Sequence, residues 1–246
     1  MSNPVAAHVA IIRLNRPVKG NALSAALVDD LASRLQTALT DPAVHTIAFT
    51  GEGRNFCTGF DLSDLDETSD AELLQRFVRV EQLLDAVWRS PVRTVALAQG
   101  RTWGAGADLF TACDWRLATS DAEFRFPGAG FGLVLGTRRL AQRVGRDEAR
   151  RLTCDGGSLS SGSSFEAGLV SALVPDATDE TLLRHIQAPA ADRATVAALR
   201  AATIAEDSDA DLAALVRSAA RPGLKERILD YRGRRAPVVA SVATSA

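Results

Sequence analysis

The chain has 246 residues, 46% of them apolar, and a formal net charge of −2, enough to bury a large core as one enzyme-sized unit with an appendage. No basic excess points to nucleic acid, and no apolar run approaches the roughly 18 residues that span a bilayer, so neither a nucleic-acid nor a membrane partner is expected. The start Met1-Ser2-Asn3-Pro4 lacks the charged and apolar regions of a secretory leader, which leaves a cytoplasmic location as the expectation, and Cys57, Cys113 and Cys154, odd in number and without metal spacing, read as reduced thiols.

In chain order, His8–Leu14, His45–Thr50 and Arg93–Ala98 are short runs rich in β-branched residues and read as strands. Between the first two, Leu27, Leu31, Leu35 and Leu39 recur at helical spacing behind Ser24, a capping candidate; between the last two, Leu73, Phe77, Val80, Leu84, Val87 and Trp88 form a second amphipathic stripe. This alternation predicts an α/β fold of right-handed crossover units. Two glycine-bearing loops about fifty residues apart, Asn55–Asp61 and Gly100–Asp108, each follow a strand-like run and open a helical pattern. From about Pro189 the composition turns alanine- and arginine-rich, and three helices are expected over Ala194–Ala205, Ala210–Ala220 and Leu224–Arg232, broken at Asp207-Ser208 and Arg221-Pro222-Gly223, with a frayed tail after Tyr231.

The two loops carry a resemblance. Phe56-Cys57-Thr58-Gly59-Phe60-Asp61 resembles the Phe-x-x-Gly-x-Asp pattern of the crotonase (enoyl-CoA hydratase/isomerase) superfamily, and Gly104-Ala105-Gly106 with Cys113-Asp114 resembles its second loop. Asn15-Arg16-Pro17 with Asn21–Ser24, Thr50–Gly53, Phe124–Pro127, and Gly168–Val170 with Val174-Pro175 are similar to further family motifs in the same order, so the resemblance covers roughly residues 5–235. It implies a spiral of ββα units over residues 1–188 and a helical C-terminal trimerisation region over 189–246. It also implies a homotrimer or a hexamer made as a dimer of trimers, and a coenzyme A thioester as substrate with no further cofactor and no metal. His8, His45 and His185 lie outside every motif, which speaks against a histidine base.

By the same resemblance, the backbone amides of Phe60 and Ala105 form an oxyanion hole for a thioester enolate, with Gly59 and Gly104 letting the backbone approach the ligand. The alternative is a pair of ordinary strand-to-helix turns. Asp108 falls where hydratases carry their first catalytic glutamate and reads either as a general base or as an acid at the start of a helix. Glycine stands at 128 where the family places its second acid after proline, so the usual acid pair is broken, and Val134–Leu140 is shorter than the family's glycine-rich approach to its Thr-x-Arg-Leu helix. Arg54 reads as a phosphate contact or a solvated arginine, and Lys19 lies in the N-terminal signature that approaches the nucleotide; Asp61 reads as a cap for the helix behind its loop, Asp114 as an acceptor for amides at a strand start, and Trp103 and Phe126 as acyl-channel walls or plain core. Two functions are consistent with these residues: an enolate-forming enzyme using Asp108 alone, or a non-catalytic acyl-CoA-binding protein that kept the turns.

Overall fold

The computed structural model describes residues 8–204 and 208–235; the expectations for the Met1 start, for Asp207 and for the last residues of the tail fall outside these ranges. The strands are β1 (Val9–Leu14), β2 (Thr46–Gly51), β3 (Arg93–Ala98), β4 (Arg101–Trp103), β5 (Trp115–Thr119), β6 (Glu123–Arg125), β7 (Ser158–Ser160) and β8 (Ala172–Val174). The helices are α1 (Ala25–Thr40), α2 (Asp70–Trp88), α3 (Ala105–Ala112), α4 (Thr137–Val144), α5 (Arg146–Cys154), α6 (Ser161–Glu166), α7 (Asp179–His185), α8 (Arg193–Thr203), α9 (Ser208–Ala219) and α10 (Leu224–Arg235).

Two sheets divide the strands. The larger, all parallel, has the order β1-β2-β3-β5-β8, and the smaller has the order β4-β6-β7, parallel at its first pair and antiparallel at its second. After β3 the chain steps across to the small sheet for β4, returns through α3 to β5, and steps across again for β6. That is the expected ββα repeat. Parallel strands need a crossover at each return, and helices supply it, which buries the larger sheet on both faces; Ile47, Ala48, Phe49, Ala96, Leu97 and Ala98 are all fully buried.

Local chemistry sets the helix starts. Ser24 caps α1 by accepting from the Leu27 amide at 3.2 Å, and Ser69 with Glu72 forms a reciprocal capping box at the start of α2. On α1 Leu27, Leu31 and Leu35 are buried, and on α2 Leu73, Phe77, Val80, Leu84, Val87 and Trp88 are, so both stripes face the core as their spacing requires. The three-residue strands β4, β6 and β7 are too short to show a periodicity and were not expected.

At the C-terminal end, helices form at the three expected places. The expected frayed tail is corrected in part, because α10 continues through Arg235. The cause is a clamp on the 3-10 turn Pro127–Phe131: Arg227 donates to the Phe131 carbonyl at 3.0 Å and Arg234 to that of Gly130 at 3.1 Å, while the Asp70 carboxylate accepts from the amides of Leu224 and Lys225 at the helix start. Leu215, Ala219, Leu224 and Ile228 of α9 and α10 pack with Leu65, Leu73, Phe77 and Leu133. The appendage therefore closes over one end of the spiral within the same chain. No helix among the described residues is long and apolar enough to cross a membrane.

Candidate active site

The two glycine loops meet. Cys57 and Thr102 form a parallel bridge, with the Trp103 amide donating to the Cys57 carbonyl at 2.9 Å and the Cys57 amide to that of Arg101 at 3.2 Å. Gly59 and Gly104 have φ of 103° and 52°, conformations costly for residues with a Cβ, and a Cβ on Gly59 would lie 2.9 Å from the Trp103 carbonyl oxygen and 3.6 Å from the Gly104 Cα. Only glycines let the loops approach this closely.

This approach orients two amides. The amides of Leu23 and Asp61, on either side of the Leu23–Phe60 bridge, are used by the carbonyls of Gly59 and Leu23, which turns the Phe60 amide the other way. Ala105 is the first residue of α3, where an amide has no intrahelical acceptor. Among the described residues neither the Phe60 nor the Ala105 amide has an acceptor within the protein. Both residues line a cavity of about 410 Å³.

Gly59, Trp103, Gly104, Asp108, Phe126 and Gly128 line the same cavity. Arg54 does not; it is exposed, on the loop ahead of the bridge. Asp61 does not either, and it does not cap a helix: its buried carboxylate accepts from Arg16 at 2.8 Å and from the Ser63 amide at 3.0 Å. Burial pushes the Asp61 carboxyl up, but those hydrogen bonds outweigh it and hold the group below its ordinary range. Asp114 accepts from the Thr94 amide at 2.8 Å, at the start of β3, and pairs with Arg200. The Cys57 and Cys113 thiols are buried, Cys57 in the first loop and Cys113 at the C-terminal end of α3, and burial pushes the former up to about 12, far from a reactive thiolate.

Asp108 sits one turn into α3, 6% exposed, and none of the hydrogen bonds among the described residues engages its carboxylate. Burial pushes its carboxyl well above the ordinary range, the nearby Glu81 carboxylate adds to the push, and Arg139 opposes it. A Cβ on Gly136 would lie 2.4 Å from Asp108 Oδ1, so the backbone of the segment before α4 lies directly against the carboxylate. Gly128 brings no carboxylate to the cavity, where Asp108 is the single acid of the lining among the described residues. The position tolerates a side chain's φ, and an added Cβ would approach the Leu133 carbonyl oxygen at 3.1 Å.

Sequence reasoning missed what lies behind Asp108. Arg139 of α4, 1% exposed, forks onto Glu81 of α2 at 2.5 and 3.1 Å, with Asp85 at 3.5 Å and Asp211 of α9 at 3.8 Å. Burial works against both charges of the pair; it pushes the Glu81 carboxyl up, whereas in Arg139 the carboxylates outweigh it and hold the guanidinium protonated. The signal was available, since Glu81 sits four residues after Phe77 and three before Leu84, an acid inside an apolar stripe. Removing one partner of such a buried pair leaves a lone buried charge. Arg139→Met is therefore expected to lower the unfolding free energy by about 3–5 kcal/mol, read as a lower urea midpoint with an unchanged slope.

The family model for enoyl-CoA hydratase/isomerase matches residues 5–221. A solved structure from Bordetella parapertussis, described as of enoyl-CoA hydratase/isomerase type, is 42% identical, with a TM-score of 0.85 over 92% of this chain and 95% of that one. An enoyl-CoA hydratase from Mycobacterium avium subsp. paratuberculosis is 27% identical, with a TM-score of 0.76 over 93% and 94%. Among curated relatives, the enoyl-CoA hydratase echA6 of Mycobacterium tuberculosis is 34% identical over 164 residues, a match spanning 65% of this chain and 65% of that relative's length. The 2,3-dehydroadipyl-CoA hydratase of Escherichia coli is 32% identical over 187 residues, 73% of this chain and 70% of the relative. With the paired amides, the crotonase-like α/β architecture and a family model spanning most of its length, the chain belongs to the enoyl-CoA hydratase/isomerase family.

Proposed function

We propose that the protein binds an acyl-CoA thioester with its carbonyl oxygen between the amides of Phe60 and Ala105 and moves a proton on the resulting enolate with Asp108 alone. The observation that carries this reading is the pair of acceptor-free amides turned to a cavity that also holds one buried, perturbed carboxyl group. Stabilising the enolate oxygen lowers the cost of breaking a C–H bond next to the thioester. Asp108 takes that proton, and the same carboxyl returns it to a different carbon.

Isomerisation of a double bond fits this equipment better than hydration. Hydration needs one group to deprotonate water and another to protonate carbon, and Gly128 provides no second group. A single shuttle must hold its proton between the two half-reactions, and burial of Asp108 favours the protonated form that does so. The exposed Arg54 and Lys19 are assigned to the coenzyme A phosphates. The C-terminal helices are assigned to a homotrimer or a pair of trimers; α8 has no buried residue, and Leu199 on it is 60% exposed, which leaves an apolar surface for a second copy.

The test is turnover of a 3-enoyl-CoA and of crotonyl-CoA by the purified protein. Isomerisation of the first with slow or absent hydration of the second is the expected result; binding of both without turnover would identify a non-catalytic acyl-CoA-binding protein, a reading the missing second acid also favours. Gly128→Glu supplies the absent carboxylate at a φ that accepts it, provided the Leu133 carbonyl gives by a few tenths of an ångström. It is expected to raise crotonyl-CoA hydration by about 10²-fold, and a variant that folds and binds the thioester without that rise would show that the reshaped wall, not the missing acid, limits hydration.

A further inference from the structure

The chain is poor in aromatic residues, 5% of its composition, yet six of them, Phe60, Phe77, Trp103, Phe126, Phe131 and Tyr231, line this single cavity. They come from five separate parts of the fold: the first loop, α2, the second loop, the segment around Pro127 and α10. Two pairs are already in ring contact. Phe60 stacks on Phe77 with centroids 4.1 Å apart and planes 20° apart, and Phe131 meets Tyr231 at 5.4 Å and 61°.

The turn that lost its acid builds one of these walls. Gly128 bears no carboxylate, and at Gly130 an edge of the Tyr231 ring approaches so closely that an added Cβ would sit 2.5 Å from its Cε2 and 2.7 Å from its Cδ2. Among the described residues Asp108 is the single carboxylate of the lining. A linear alkyl chain would be served equally by leucine and valine walls, whereas rings held in stacked and edge-to-face pairs offer extra attraction to a flat ring placed among them.

We propose that the acyl group taken by this cavity carries an aromatic ring close to the reacting carbons, making the substrate an aryl-substituted acyl-CoA. Phe126 lines the cavity beside Pro127, and Phe131 with Tyr231 continues the wall past Gly128, while the Trp103 ring lies against the guanidinium groups of Arg101 and Arg125, 4.7 and 5.3 Å from its centroid. This substrate class rests on the acyl-CoA reading given above. The deletion of the acid and the aromatic lining then have one purpose: a glutamate at 128 would put a buried carboxylate against the ring.

The test is calorimetric titration of the intact protein with 3-phenylpropionyl-CoA, with nonanoyl-CoA, which has the same number of acyl carbons in a line, and with free coenzyme A. The phenyl thioester is expected to bind roughly tenfold or more tighter than the linear one, from two added aromatic contacts. In Phe131→Leu, a change at a half-buried position, the ratio of the two affinities is expected to fall below threefold. Equal or tighter binding of nonanoyl-CoA by the native protein overturns the aryl assignment and leaves a linear acyl site. An advantage unchanged in Phe131→Leu overturns the aromatic wall as its source. If neither thioester binds more tightly than free coenzyme A, the acyl-thioester reading itself fails.

Discussion

Asp108→Asn is expected to cut proton transfer steeply while leaving thioester binding within a few-fold. The amide matches the carboxylate in size against Gly136, where a Cβ would already overlap Asp108 Oδ1, but it accepts no proton at catalytic pH. The loss is expected at about 10²–10⁴ in kcat, the usual contribution of a positioned acid or base. In the native protein the rate should fall as pH drops through a value above the ordinary carboxylate range, because Asp108 must be ionised to begin the cycle and burial has raised its pKa. Stability moves in the opposite sense. A group that binds its proton more tightly folded than unfolded contributes stability at low pH, and that contribution is lost as pH rises through the folded pKa, so Asp108→Asn should melt above the native protein at neutral pH and lose that advantage in acid. Turnover that survives the substitution undiminished would place the base elsewhere.

Ala105→Pro removes one oxyanion donor with little harm to the fold. Ala105 is the first residue of α3, the helical position where proline's fixed φ and missing N–H are tolerated, and its amide has no acceptor within the protein to lose. Loss of a single such donor is expected to lower kcat by about 10²–10³-fold and to weaken acyl-CoA binding. A native circular dichroism spectrum together with unchanged affinity and rate would refute the hole. The paired experiment is informative because Asp108 and Ala105 sit on the same helix but act on different atoms: the first substitution spares binding, the second does not.

Much of this site was legible before the fold. Gly59, Gly104 and Gly128 stand in motifs whose order along the chain carries their meaning, and the loops, α1, α2 and β3 follow from turn residues, caps and apolar spacing within a few residues of each other. Such features are local: a cap, a turn or an amphipathic stripe is written in neighbours a few positions apart, so the α/β order and the places of the two turns follow from sequence alone, whereas the roles proposed for Phe60, Ala105 and Gly128 rest on the resemblance of those motifs to the family's.

Other features depend on residues far apart in the chain. Glu81 and Arg139 are 58 positions apart, and nothing near either shows that α2 and α4 both pack on α3 and bring the pair together, buried, beside Asp108. Arg54 and Asp61 stand at the first loop in sequence, yet Arg54 is exposed and outside the cavity lining and Asp61 is held by Arg16, 45 positions earlier. Tyr231 joins the cavity because α10 is docked by contacts from distant parts of the chain, among them its arginines on carbonyls of the turn about a hundred residues before it. The tertiary structure decided these points because a side chain's pKa, exposure and partner depend on which distant elements the packing brings against it, and local periodicity fixes only which face of an element is buried.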